Sequence, residues 1–187
     1  MTTVNASVDN GHGRAAVAAV ADLIDYPGAA AAAMARRVLE SPPAWLAQAS
    51  PELQDLMRAF AQAVLALPRG RWEEIYTETF DLQPDLTLNL GHQLFGENWK
   101  RSSLLIELQA LMPRYGVNCG TELPDHLAPL LRLLAAAPSA DAEVRELRAE
   151  CIRPALRTLS GKLAADHPYT PLLQALTLLL TQPEARP

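Results

Sequence analysis

The chain has 187 residues, a formal net charge of −5 and a hydrophobic content of 49%, but only 5% of its residues are aromatic. This length suits one domain, and the abundance of alanine and leucine favours helices, because strands prefer β-branched and aromatic side chains. The acidic balance argues against a nucleic-acid partner, which would need a basic face, and favours a basic peptide or protein segment.

Cysteine usage and hydropathy indicate the cellular compartment and the kinds of site that the chain can form. Cys119 and Cys151 lie far apart and form no Cys-x-x-Cys pair, so neither a disulfide framework nor a zinc site is expected. No apolar run approaches the ~20 residues that span a bilayer, and the polar start lacks the order of a signal peptide. We therefore expect a cytoplasmic protein without direct membrane insertion and without a stably bound metal or cofactor.

The hydrophobic spacing predicts an all-α fold, a single compact bundle of about eight or nine helices. Residues 1–13 are predicted to be a disordered N-terminus, residues 14–182 the helical domain and residues 183–187 a polar tail. Clusters of proline, glycine and serine separate the helices. In chain order, the predicted helices cover residues 14–25, 29–40, 50–67, 72–80, 86–95, 99–115, 124–134, 141–163 and the leucine-rich stretch 172–180.

Proline marks several of the predicted boundaries. Ser50 followed by Pro51 predicts an N-cap and the first helical position after it. Pro124 predicts the start of another helix, which would place Asp125 and His126 in a first turn where backbone N–H groups are unpaired. Pro154 lies inside a predicted helix and is expected to kink it.

The sequence contains no catalytic motif that we recognise. A Gly-x-Ser-x-Gly elbow, a phosphate-binding glycine-rich loop and a His-Glu-x-x-His helix are all missing. A metal site formed by His92, Cys119 and His126 is conceivable, but the spacing matches no ligand motif. Asp125 and His126 could act as acid and base, although neighbours on a helix diverge by ~100° and hydrogen-bond each other poorly. We therefore expect that the chain is not an enzyme.

An acidic segment runs from Trp72 to Glu97, with six acids and no lysine or arginine. The same segment carries aromatic residues and several leucines. An acidic surface beside exposed aromatic groups would suit a peptide with a basic end and an apolar helical segment. A solvated acidic face around a buried aromatic core would produce the same pattern.

Three separated motifs resemble one protein family. They are residues 76–81 (Tyr-Thr-Glu-Thr-Phe-Asp), residues 88–101, and residues 122–127 (Glu-Leu-Pro-Asp-His-Leu). Together they resemble the nitrate reductase molybdenum cofactor assembly chaperones of the NarJ type. These belong to the redox-enzyme maturation proteins, which include the TorD and DmsD chaperones. The resemblance extends over roughly residues 15–180.

The resemblance implies an all-helical cytoplasmic chaperone that binds the N-terminal leader of a molybdoenzyme catalytic subunit until the molybdenum cofactor is inserted. The client implied by the resemblance is nitrate reductase or a related enzyme. The chain is expected to be a monomer, with a dimer left open. Helices 72–80 and 124–134 are expected to line an accessible leader groove with a polar corner at residues 124–126. The expected binding residues are Trp72, Tyr76, Glu78, Phe80, His92, Glu97, Leu123, Pro124, Asp125 and His126.

Two alternatives stay open at this point. The chain could be a structural adaptor or a stable subunit of a redox complex, with the acidic segment as its docking face. It could also be a small hydrolase that uses Asp125 and His126.

Overall fold

The structure is a computed structural model that describes residues 11–181, and each regular element in that range is helical. The predicted all-α fold is therefore confirmed. The predicted disordered N-terminus and the polar tail lie outside the described residues, except that residues 11–13 already belong to the first helix.

The helix bounds agree with the predicted bundle of eight or nine helices. Two π-helical segments, Thr77–Asp81 and Leu147–Ile152, extend α5 and join α9 to α10, and short 3-10 turns cover Pro84–Leu86 and Met112–Tyr115. If α9 and α10 are counted as one helix and the one-turn α3 is left out, the described part of the chain contains nine helices. The α-helices are α1 (Gly11–Ile24), α2 (Ala29–Glu40), α3 (Ala44–Ala47), α4 (Pro51–Leu65), α5 (Arg71–Tyr76), α6 (Leu90–Phe95), α7 (Trp99–Leu111), α8 (Leu127–Ala136), α9 (Ala142–Glu146), α10 (Arg153–Lys162) and α11 (Thr170–Thr181).

The centre of the bundle is α1, which packs against α8, α2, α3 and α11. Its inward positions carry small or branched apolar side chains, such as Ala16, Val17 and Val20, and these are fully buried. At one end, Arg14 donates hydrogen bonds to the carbonyl oxygens of Ala135 and Ala136, at 2.8 and 2.7 Å. This contact places a positive charge at the end of α8, where helical carbonyl groups lack partners.

The helix α11 packs against α4 and α10 and closes the bundle. Within residues 11–181, no helix combines the length and the apolar character needed to cross a bilayer.

One of the proline-based boundaries is found where it was expected. Ser50 is the N-cap of α4, and its hydroxyl accepts a hydrogen bond from the backbone N–H of Leu53, with Pro51 at the first helical position. A π-helical segment lies directly before Pro154, which has no N–H to donate to the preceding turn.

The boundary predicted at Pro124 is wrong, because α8 begins three residues later, at Leu127. The turn before it pairs with another segment of backbone instead of starting the helix. The N–H of Leu90 donates to the carbonyl of Asp125 (2.8 Å), and the N–H of Leu127 donates to the carbonyl of Leu88 (2.9 Å). Asp125 therefore lies in a turn rather than in a first helical turn, and His126 is the N-cap of α8.

Candidate functional site

His126 connects the turn before α8 to Tyr76 at the end of α5. Its side chain is buried, and Nδ1 accepts a hydrogen bond from the backbone N–H of Ala128 at 3.2 Å. The ring hydrogen is therefore on Nε2, which lies 3.5 Å from the hydroxyl oxygen of Tyr76. Burial lowers the pKa of His126 to about 4, so the ring is neutral at neutral pH.

Asp125 is fully buried and forms an ion pair with the side chain of Arg101. Nε of Arg101 donates to Oδ2 of Asp125 at 2.8 Å, and Nη1 donates to Oε1 of the exposed Glu97 at 2.6 Å. The same Glu97 oxygen lies 3.0 Å from Nδ1 of His92. The structure thus brings three of the expected site residues, Asp125, Glu97 and His92, together through Arg101. Their polar contacts lead from the core to the surface.

Gly91 allows this ion pair to form beside α6. A β-carbon at position 91 would lie 2.6 Å from Oδ2 of Asp125 and 3.2 Å from Cγ of Arg101. No side chain fits at such a distance without displacing the carboxylate. The glycine is therefore required by the close approach of α6 to the turn.

Three carboxylates from separate parts of the chain lie around Tyr76 and His126, and Oε2 of Glu122 is 4.0 Å from Nε2 of His126. They belong to Asp25 after α1, Asp81 at the end of the π-helical segment, and Glu122 in the turn before α8. Burial raises the pKa of Glu122, and the negative charges of Asp25 and Asp81 raise it further. The same three negative charges add to the effect of burial in raising the pKa of the Tyr76 hydroxyl, so all three act on the region around Tyr76 and His126.

An exposed aromatic ring lies among these acids. The side chain of Tyr26 is 53% exposed and packs edge-on against Tyr76, with 5.5 Å between the ring centroids. On one side, Arg132 donates to Oδ2 of Asp25 at 2.6 Å and neutralises part of the charge. We call the surface formed by Asp25, Tyr26, Asp81 and Glu122 the acidic corner.

A shallow depression of about 510 Å³ adjoins the acidic corner at Glu122. Leu123, which is 47% exposed, contributes to its wall. The floor and walls are mainly apolar, so the depression can accept side chains that the charged corner cannot. Its lining residues are Gln109, Met112, Pro113, Val117, Asn118, Cys119, Glu122, Leu123 and Pro124.

The aromatic face expected to line a groove is instead part of the core. Trp72, Tyr76 and Phe80 are 8%, 3% and 3% exposed. The fully buried Tyr169 covers them: its ring centroid lies 5.0 Å from that of Phe80, and its hydroxyl accepts a hydrogen bond from Nε1 of Trp72 at 2.8 Å. The expectation that these aromatic side chains line an open groove is therefore corrected, because they are buried and pack against Tyr169.

The remaining expected residues divide into exposed and buried groups. Glu78 is exposed and forms an ion pair with Arg71 at 3.1 Å, while Leu123 reaches the depression. The expectation that residues 124–126 form an accessible polar corner is also corrected, since Asp125 and His126 are buried. Their side chains hold the turn in place, and the accessible surface is beside them.

The sequence prediction did not select the residues of the acidic corner. Asp25 and Tyr26 precede Pro27 at the end of a helix, and Asp81 is the last residue of the motif at positions 76–81. Each of these signals is ordinary in isolation. Only the tertiary packing of α1 against α8 brings Asp25 next to Glu122.

Within residues 11–181, no three histidine, cysteine, aspartate or glutamate side chains are grouped so that they could hold a metal ion. The conceivable set of His92, Cys119 and His126 is thus not assembled. The chain matches no protein-family model and no curated protein sequence.

Proposed function

We propose that the chain is a cytoplasmic chaperone for a molybdoenzyme catalytic subunit, nitrate reductase or a related enzyme. It binds the N-terminal leader of that subunit and holds the subunit until the molybdenum cofactor is inserted. The acidic corner supports this proposal, because the charges of Asp25, Asp81 and Glu122 act on Tyr76, and Tyr76 packs against the exposed ring of Tyr26. A leader with a basic end and an apolar helical segment complements such a surface.

The acidic corner and the depression beside it bind different parts of the leader. The carboxylates attract the basic end of the leader and set its orientation, while the depression near Leu123 accepts apolar side chains. Binding at a shallow surface of this kind is reversible, which suits a chaperone that must release its client.

The buried polar residues below the corner support it without touching the client. The hydrogen bonds of His126 and the ion pair between Asp125 and Arg101 fix the turn that carries Glu122 and Leu123. A surface that is already in its binding conformation loses less conformational entropy when the leader binds.

Catalysis by Asp125 and His126 is not part of this proposal. The carboxylate of Asp125 is fully buried and engaged by Arg101. The His126 ring is buried, with Nδ1 held by the backbone and Nε2 directed at Tyr76. A general acid or base needs contact with a substrate or with a water beside it, and this arrangement favours a supporting role.

The test is a calorimetric titration with the synthetic leader of the candidate catalytic subunit. We expect Asp81→Asn/Glu122→Gln to weaken the binding about tenfold, since each neutralised carboxylate removes a partner for the basic end. The matched control is Glu40→Gln/Asp166→Asn, which neutralises two exposed acids outside the corner and should leave the affinity unchanged. Equal affinity for the corner variant and the control would contradict the proposal.

A further inference from the structure

A second surface of the molecule has the shape of a binding groove. It lies between one face of α7 and one face of the continuous helix formed by α9 and the π-helical segment, and its volume is about 450 Å³. Pockets of ~300–1,000 Å³ are typical of ligand sites. The lining residues are Leu104, Glu107, Leu108, Ala110, Leu111, Arg114, Glu143, Glu146, Leu147, Glu150 and Cys151. We call this surface the α7 groove.

The lining positions follow helical spacing on both walls. On α7 they include residues 104, 107, 108 and 111, and on the opposite wall residues 143, 146, 147, 150 and 151. Positions at i, i+3, i+4 and i+7 share one face of a helix, so each wall is a single helical face. From residue 104 to residue 114 the groove extends for ~15 Å, which is enough for about three turns of a third helix.

The floor of the α7 groove is apolar. Leu108, Leu111 and Leu147 line it with little exposure, and the half-buried Cys151 on the second wall also contributes to it. When another apolar surface covers an apolar trough that is open to solvent, the free energy of the complex falls.

The rim of the groove is strongly acidic. The lining includes four glutamates and one arginine, and this arginine, Arg114, already forms an ion pair with Glu143. Burial raises the pKa of the Cys151 thiol, and the negative charges of Glu107, Glu150 and Glu146 raise it further. The negative charges of glutamates from both walls therefore act on the same group, the thiol of Cys151.

The π-helical segment and a pair of polar contacts shape this surface. The wider π-helical turn at Leu147–Ile152 carries Leu147 and Cys151, and π-helical turns occur frequently at functional sites. At one end, Arg114 binds Glu143 and the hydroxyl of Tyr115 donates to the carboxylate of Asp141. These contacts join the two walls at one end of the groove.

We propose that the α7 groove docks an amphipathic helix of a partner protein, with lysine or arginine residues on both flanks of its apolar side. The apolar side covers the leucine floor, and the flanking cations meet Glu107 on one wall and Glu146 and Glu150 on the other. The choice of occupant rests on this charge complementarity. The proposal is independent of the function assigned to the acidic corner, which involves none of these residues.

The probe is a fluorescein-labelled amphipathic peptide with leucines at i, i+3, i+4 and i+7 and lysines on both flanks. Binding is measured by anisotropy for the full chain and for Glu107→Lys/Glu150→Lys, which reverses two exposed rim charges. We expect this variant to bind at least about tenfold more weakly. The matched control, Glu40→Lys/Asp166→Lys, makes the same charge change elsewhere and should bind like the wild type.

A second variant and a second peptide keep the test decisive. Ala110→Arg adds a bulky cation to the groove at an exposed helical position and should also weaken the binding. A peptide with glutamate in place of lysine should not bind, and the wild-type affinity should fall as salt is added. The corner variant Asp81→Asn/Glu122→Gln should retain the wild-type affinity, which separates this proposal from the proposed function.

Several results would overturn the proposal. They are an absence of wild-type binding, equal binding of the glutamate peptide, equal binding by Glu107→Lys/Glu150→Lys, or loss of binding only in the corner variant. A wild-type dimer in sedimentation that dissociates in Glu107→Lys/Glu150→Lys would identify the groove as an interface between copies, and would likewise overturn it.

Discussion

The acidic corner and the α7 groove are both acidic surfaces, but they are built in different ways. The corner lies beside two buried polar pairs, Tyr76 with His126 and Asp125 with Arg101. The groove has an apolar floor, and its carboxylates are confined to the rim. Carboxylates thus occur in two settings in this molecule: beside buried polar pairs at the corner, and along the edges of an apolar floor at the groove.

This difference predicts where substitutions will affect folding. Changes to these two pairs should destabilise the protein, because removing one member leaves a buried polar group without its partner. Changes on the rim of the groove should affect binding alone.

The largest effect is expected for Asp125→Ala. The substitution leaves the guanidinium of Arg101, whose side chain is 11% exposed, without its buried partner. We expect the free energy of unfolding to fall by about 3 to 4 kcal/mol in a denaturant titration. The control is Glu97→Ala, which removes the exposed partner of the same arginine and should have a much smaller effect. Equal losses in both variants would show that the buried pair does not support the turn.

The next effect is a pH dependence that comes from His126. Its pKa is about 4 in the folded protein and ~6.5 in the unfolded chain. The unfolded state therefore binds an extra proton between these values, so the stabilising contribution is complete above pH ~6.5 and is lost as the pH falls toward 4. The wild type should lose about 3 kcal/mol more than His126→Asn between pH 7 and pH 4.

His126→Asn is the appropriate reference because asparagine can also accept the hydrogen bond from the N–H of Ala128 and cap α8. Urea titrations of both proteins at several pH values provide the measurement. Parallel stability curves for the two proteins would mean that the ring of His126 does not titrate in a buried position.

A smaller loss is expected for Gly91→Ala. The new β-carbon would lie 2.6 Å from Oδ2 of Asp125, and overpacking of this kind costs about 1–3 kcal/mol. In the double variant with Asp125→Ala, the contacting carboxylate is gone, so the cost of the alanine at position 91 should be smaller. Additive losses in this double-mutant cycle would place the strain somewhere other than at the carboxylate.

The smallest effect on folding is expected at the α7 groove. Glu107→Lys/Glu150→Lys changes two exposed rim residues, and the free energy of unfolding should remain within about 0.5 kcal/mol of the wild-type value. Thermal and urea unfolding check this expectation. A loss comparable to that of Asp125→Ala would remove the distinction between the two surfaces.

The helical class could be predicted from the sequence because it depends on local patterns. Leucine spacing and proline positions identify most helices, and the cap at Ser50 is a signal contained in four residues. The one-turn α3, with the buried Trp45, was not predicted, because a single turn shows no periodicity.

The site could be predicted only in part, because its geometry depends on contacts between distant residues. The start of α8 was misplaced because residues 88–90 pair with the backbone around His126. The position of Tyr169, 97 residues after Trp72, could not be inferred from either local sequence. The proximity of His92, Glu97 and Asp125 depends likewise on Arg101, which connects them.

The most direct measurement of the central claim is hydrogen–deuterium exchange of the full chain with and without the client's leader peptide. Slower exchange on addition of the leader is predicted in the backbone segments that carry the acidic corner, residues 24–28, 77–82 and 117–124. The exchange of α2, which contributes no residue to either surface, should not change. If the leader binds but the exchange of all three corner segments stays the same, the leader does not bind at the acidic corner, which contradicts the proposed function.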